Sequence, residues 1–174
     1  MSTEQLSRFE VTKFDTTERW REGWPHHFHY EVRDTTLDQT AGFLTVRHWL
    51  ETHQVEADDL ELHNPATAKQ VGVHVLRACG KDLRLLAIPE LRFAEPLQDE
   101  IIMAREAFGD DALQMAYKAD ASQERQPYPQ TLDELVERTA QEFAPLADAG
   151  HLDMWIDLRA QNMTEWPDAP MHQS

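Results

Sequence analysis

The segment HHFHYEVRD, residues 26–34, contains the clearest structural pattern in the sequence. Its apolar residues Phe28, Tyr30 and Val32 recur at every second position, and the residues between them are charged or imidazole side chains. Because successive side chains of a strand point to opposite faces, this alternation predicts a β-strand. One of its faces belongs to a core and the other faces water.

Further strands are predicted on both sides of this one. Residues 6–14 place Phe9 and Val11 on one side, and the short connection to His26 favours antiparallel pairing of the two strands. The apolar run at residues 83–88, which ends before Pro89, predicts a central strand, and after Gly150 a final strand is predicted from apolar alternation.

Helices are predicted in the segments between these strands. Thr36 is a candidate N-cap for a helix that runs to about residue 54. Asn64-Pro65 and Gly80 delimit a helix over residues 65–79, and Glu95-Pro96 opens another that Gly109 stops. Thr131-Leu-Asp-Glu is a capping box, which predicts a helix that starts there.

Together these elements predict a single α+β domain over residues 1–162, with residues 163–174 as a flexible tail. We expect a mostly antiparallel sheet of four or five strands, with three or four helices packed on one face. The single cysteine, Cys79, excludes an internal disulfide and is expected to be a buried side chain. No segment is apolar enough to predict a membrane span or a secretory signal, so we expect a cytoplasmic protein, in a cell or in an infected host cell.

Charge is the strongest global signal. The chain has 16 basic and 32 acidic residues, so its formal charge is −16, and residues 101–174 contribute 5 − 14 = −9. Such a surface repels phosphates, so direct binding to nucleic acids is not expected. The hypothesis that follows is a non-catalytic inhibitor that occupies a basic nucleic-acid-binding surface of another protein. Such DNA-mimic or anti-defence proteins would be encoded by phages or mobile elements.

For this hypothesis the partner-binding residues are acidic side chains of the C-terminal part. Those on the exposed side of the helix after Thr131 and those on the last strand are the candidates, since they would meet the basic partner. Adjacent pairs such as Asp58-Asp59 are predicted to cap turns. The five candidate residues are Asp133, Glu137, Glu142, Asp153 and Asp157.

A small metal-dependent enzyme is the competing hypothesis. His27, His29 and Glu31 project from the same face of the predicted strand, and two such histidines bind zinc when a third ligand arrives from elsewhere. No nucleophile elbow, phosphate-binding loop or dinucleotide fingerprint is present, so no catalytic residue and no resident cofactor are predicted. A structural accessory protein, whose charge serves solubility alone, is the third alternative.

Overall fold

The alternating segment at residues 26–34 forms the strand that its sequence predicts. A computed structural model describes residues 8–15, 24–117, 126–127, 152–159 and 171–173. The strands are β1 (Phe9–Asp15), β2 (His26–Asp34), β3 (Gln39–Trp49), β4 (Gln54–Leu62), β5 (Glu90–Ala94), β6 (Leu113–Tyr117), β7 (Gln126–Pro127), β8 (Leu152–Asp157) and β9 (Met171–Gln173). The helices are α1 (Ala68–Leu85) and α2 (Gln98–Phe108).

All the described strands belong to one mixed sheet. Its order is β7-β6-β8-β5-β4-β3-β2-β1-β9. The first four strands form an antiparallel meander, whereas β4 pairs in parallel with β5 and β1 in parallel with β9. Helix α1 provides the crossover that a parallel connection requires, and it contacts the meander and α2. The α+β class is confirmed.

The predicted numbers of strands and helices are wrong. Seven strands have five residues or more, and the described part of the chain contains two α-helices. The main reason is the segment from Thr36 to residue 54, which forms β3 and a turn instead of a helix. The Asp34 carboxylate accepts hydrogen bonds from the amides of Thr36 and Leu37, and Asp38 has a φ of 53°, so the chain reverses there.

Helix α1 is longer than predicted. It begins at Ala68 and continues through Gly80 to Leu85, so the strand predicted over residues 83–88 is wrong. Gly80 does not end the helix. Its missing side chain instead allows the Phe108 ring to pack close to the helix, since a Cβ there would lie 2.6 Å from that ring. The apolar run at 83–88 contributes Leu83, within the helix, and Ile88, three residues beyond its end, to the core.

Other predicted elements are confirmed. The strand at β1, its antiparallel pairing with β2, helix α2 before Gly109 and the last long strand β8 lie where expected. Within the predicted tail, however, Met171–Gln173 pair with Val11–Lys13 as β9, so this piece belongs to the sheet. The helix predicted after Thr131 lies outside the described residues.

Candidate functional site

The acidic residues predicted to bind a partner do not form a described surface. Asp133, Glu137 and Glu142 lie outside the described residues. Asp153 is 4% exposed, and its carboxylate lies 2.7 Å from the Arg92 guanidinium. Asp157 pairs with Arg159 at 3.1 Å. The two carboxylates on β8 are thus occupied by arginines of this chain.

Two of the three predicted metal ligands on β2, His29 and Glu31, make side-chain contacts within the protein. His27 is exposed, but a ring nitrogen of His29 lies 3.0 Å from the Thr45 hydroxyl, and its ring packs at 4.8 Å from the Phe43 ring. Glu31 accepts a hydrogen bond from Thr40. Among the described residues no three His, Cys, Asp or Glu side chains are grouped to hold a metal ion. Zinc binding by His27, His29 and Glu31 stays a prediction.

A wedge between β4 and β5 is the most distinctive feature of the sheet. These parallel strands share only two residue pairs, Glu56 with Arg92 and Ala57 with Phe93. Strand β4 continues for five residues beyond Ala57, whereas β5 ends one residue beyond Phe93. Backbone groups along this edge of β4 therefore have no strand partner in the described part of the chain.

A β-bulge in β4 causes this separation. Thr45 of β3 pairs with Asp59 and the next residue, Val46, pairs with Ala57, so Asp58 is an extra residue on β4. A bulge bends its strand and redirects the adjacent side chains. Because the bulge follows directly after the last β4–β5 pair, it turns the end of β4 away from β5.

The wedge contains a cavity of about 230 Å³ that is strongly acidic. Strand β4 supplies Asp58 and Asp59, and the segment after β5 supplies Glu95. Glu100 of α2 completes the lining carboxylates, and none of the described residues that line the cavity is basic, although the Arg47 guanidinium lies 3.3 Å from the Asp58 carboxylate. This arrangement attracts a cation or an amine.

Glu100 has the environment of a functional carboxyl. Burial raises its pKa, and the nearby Asp59 and Asp99 carboxylates raise it further, while the hydrogen bond from the Leu97 amide acts in the opposite direction. A glutamate that holds a proton more readily than usual is better suited to exchange protons with a bound amine.

Local sequence patterns contain little indication of this wedge. Asp58 and Asp59 are predicted as turn caps, but they lie on β4 at and beside its bulge. Their adjacency to Glu95 and Glu100 depends on the parallel pairing of two strands separated by α1. The usable signal is the helix between two strands, which is typical of a parallel crossover.

A second polar cluster lies inside the core, between the sheet and α1. The Asp82 carboxylate of α1 lies 2.7 Å from the Lys13 ammonium and accepts a 2.6 Å hydrogen bond from the Tyr30 hydroxyl. Burial raises the pKa of the Tyr30 hydroxyl and of the adjacent Cys79 thiol, and the Asp82 charge raises both further. Cys79 is fully buried as predicted, which makes it unsuitable as a nucleophile.

His48 lies near this cluster and makes stability depend on pH. It is 6% exposed, and neither ring nitrogen has a hydrogen-bond partner among the described residues. Burial lowers its pKa, and the nearby His53, His26 and Lys13 lower it further. The folded protein therefore binds this proton less readily than the unfolded chain does, whose histidine pKa is about 6.5.

We expect the free energy of unfolding to fall as the pH drops below about 6.5, by at most about 1.4 kcal/mol per pH unit for this histidine. The loss stops below the lowered pKa of the folded state. Urea unfolding at several pH values should show a smaller loss for His48→Phe. His27→Gln, at an exposed position, serves as the control. An unchanged pH dependence in His48→Phe would contradict this assignment.

Membrane insertion by a helix has no support in the described residues, where neither helix has the length and apolar character needed to cross a bilayer. The cytoplasmic location stays a prediction.

Comparisons with known proteins identify similarity only at the level of structure. No protein-family model matches the sequence, and no curated protein matches it significantly. An acetyltransferase of the GNAT family from Staphylococcus aureus MU50 is 8% identical, with a TM-score of 0.47, over 76% of this chain and 69% of its own. Tetrahymena GCN5 is 11% identical, with a TM-score of 0.45, over 77% and 71%.

A Klebsiella pneumoniae protein, described provisionally as an acyl-CoA N-acyltransferase, is 13% identical with a TM-score of 0.49. The match covers 85% of this chain and 97% of that protein. The Staphylococcus and Klebsiella proteins are described as transferases, and not as inhibitors or nucleic-acid mimics. The hypothesis of a non-catalytic inhibitor on a basic nucleic-acid-binding surface is therefore wrong. The structure agrees, because the carboxylates of Asp153 and Asp157 pair with arginines of this chain.

Proposed function

We propose that this protein is an acyltransferase that moves an acyl group from an acyl-coenzyme A thioester to an amine. The observation that carries the proposal is the wedge between the parallel strands β4 and β5. Its unpaired strand edge suits a ligand with an extended chain that contains amide groups, because such a ligand can make the hydrogen bonds that a further strand would make. The pantetheine arm of coenzyme A is a ligand of this kind.

The N-terminus of α1 is the second feature that bears on donor binding. The helix begins six residues after the end of β4, and its first turn contains no acidic residue. A helix N-terminus favours phosphate groups. The connecting residues 63–67 contain no glycine, so the backbone there is not built for the close cradle of a glycine-rich loop. We therefore expect the pantetheine arm to contribute more to donor binding than the phosphates do.

The carboxylates of the wedge suit the acceptor. Asp59 and Glu95 favour a positively charged amine, and Glu100 can take the proton that the amine must lose before it attacks. The amine nitrogen then forms a bond to the thioester carbonyl carbon and the carbon–sulfur bond breaks. The nitrogen loses a second proton, which passes to the departing sulfur, and the free thiol leaves. The acyl group moves from sulfur to nitrogen, and no oxidant or reductant is needed.

Calorimetric titration tests donor binding in the wedge. We expect acetyl-coenzyme A to bind, and adenosine 3′,5′-bisphosphate, which lacks the pantetheine arm, to bind at least about tenfold more weakly. Thiol release in the presence of a panel of primary amines then tests transfer. The buried Cys79 adds no more than a constant background to that assay. Absence of acetyl-coenzyme A binding at millimolar concentration would refute the proposal.

Filling the wedge should block the donor. Ala94 lines the cavity and is half-buried, so Ala94→Phe places an aromatic ring where the pantetheine arm would lie. We expect acetyl-coenzyme A to bind at least about tenfold more weakly, with thermal stability largely kept. Thr36→Phe, in the exposed β2–β3 turn, is the matched control and should bind like the parent. Equal affinities of the two variants would place the donor elsewhere.

A further inference from the structure

A second cavity lies beside the two residue pairs that join β4 to β5. Its volume is about 320 Å³, within the range of small-molecule sites. Glu56 and Arg92 line it, whereas the next residues on the two strands, Ala57 and Phe93, line the wedge. Because successive side chains of a strand alternate between faces, the two cavities draw on opposite faces of the sheet.

Aromatic and apolar side chains form much of this cavity. Trp24 and Trp49 are two of its walls, and Leu50 is a third. Trp24 is 60% exposed and Leu50 is 44% exposed. Large apolar side chains gathered around a concave surface are typical of a binding site. Indole faces also attract cations, and the Arg47 guanidinium already lies 5.4 Å from the centre of the Trp49 ring.

The charges around the cavity favour a positive ligand. Among the described residues its lining has two carboxylates, Glu51 and Glu56, and one basic side chain, Arg92. The charge of Arg92 is balanced by Asp153 at 2.7 Å. Glu56 pairs with Arg47 at 3.1 Å and lies 3.7 Å from Arg92, so Glu51 is the lining carboxylate without a described arginine partner. The formal charge of the whole chain, −16, adds to this local excess. An anion would therefore be repelled and a cation attracted.

We propose that this cavity binds a small organic cation with an apolar body, namely a substituted ammonium compound. The indoles contact its alkyl or aryl groups, and Glu51 offsets its charge. This inference goes beyond acyl transfer, because a cation can bind here without any acyl donor.

Choline and its neutral analogue 3,3-dimethyl-1-butanol test the proposal, since they have nearly the same shape and differ in charge. In calorimetric titrations of the full chain, we expect choline to bind at least about tenfold more tightly than the alcohol. Equal affinities, or no saturable binding of choline, would overturn the proposal. The result is independent of acyl transfer, because no acetyl-coenzyme A is present.

Tryptophan variants locate the site. Trp49→Leu and Trp24→Leu should each weaken choline binding by about fivefold or more. Trp24 is the more informative position, because its exposed side chain can be replaced without loss of the fold. Trp155→Leu is the matched control: its ring lies 5.7 Å from the Arg92 guanidinium, but it does not line the cavity. Equal losses in Trp24→Leu and Trp155→Leu would contradict the assignment.

Discussion

Asp82→Asn is expected to lower the free energy of unfolding by about 3–5 kcal/mol, because the substitution leaves a buried ammonium without its counter-charge. Lys13 is 7% exposed, and its Nζ lies 2.7 Å from the Asp82 carboxylate. The asparagine keeps the shape and can still accept the hydrogen bond from Tyr30. The loss therefore comes from the charge alone, and urea unfolding at neutral pH measures it.

Two further variants separate this explanation from a general sensitivity of the core. Lys13→Met combined with Asp82→Asn removes the stranded charge and should recover most of the lost stability. Asp38→Asn removes an ion-pair partner of Arg33 on the surface, where the Asp38 side chain is 82% exposed, and should change stability by no more than about 0.5 kcal/mol. If the double variant is as unstable as Asp82→Asn, the buried charge is not the cause.

Glu100→Gln is expected to reduce kcat for acyl transfer by about a hundredfold, while acetyl-coenzyme A binding changes little. The glutamine cannot take a proton from the amine, but its side-chain oxygen can still accept the hydrogen bond that the Leu97 amide donates to Glu100. The start of α2 should therefore remain intact, and the loss of activity is not a loss of fold.

The pH profile identifies the role of Glu100. Its raised pKa means that the carboxyl loses its proton at a higher pH than an ordinary glutamate, so kcat should rise with pH through that value. In Glu100→Gln this acid limb should disappear. Glu106→Gln, on the same helix and paired with Lys69 on the surface, is the control and should retain both kcat and its pH profile. An unchanged acid limb in Glu100→Gln would assign the base to another group.

The strands with a clean period of two could be predicted from the sequence. In β2 every second residue from Phe28 to Asp34 is buried, and in β8 the apolar Met154 and Ile156 are buried at the same spacing. Helix α2 was equally predictable, because Pro96 and Gly109 mark its limits. These elements depend on local spacing, which the sequence contains directly.

Helical spacing misled the prediction for β3. Phe43, Val46 and Leu50 recur at helical intervals, but the residues buried there include Leu44, Val46 and His48, at every second position. Strand pairing makes this segment a strand instead of a helix, because β2 and β4 lie on either side of β3 and hydrogen-bond to it. A segment whose apolar residues suit both periods adopts the structure that its neighbours satisfy.

Local patterns were sufficient to predict the α+β class, the strong negative charge, the burial of Cys79 and the strands and helix with unambiguous periods. The roles of the acidic residues depend instead on the folded structure. In the folded protein Asp153 pairs with Arg92, Asp82 is buried beside Lys13, and Asp59 and Glu100 line the same cavity at the wedge. The physical reason is that a carboxylate's role depends on the charges, the burial and the unpaired backbone around it. Those neighbours come from residues distant along the chain, which no local pattern records.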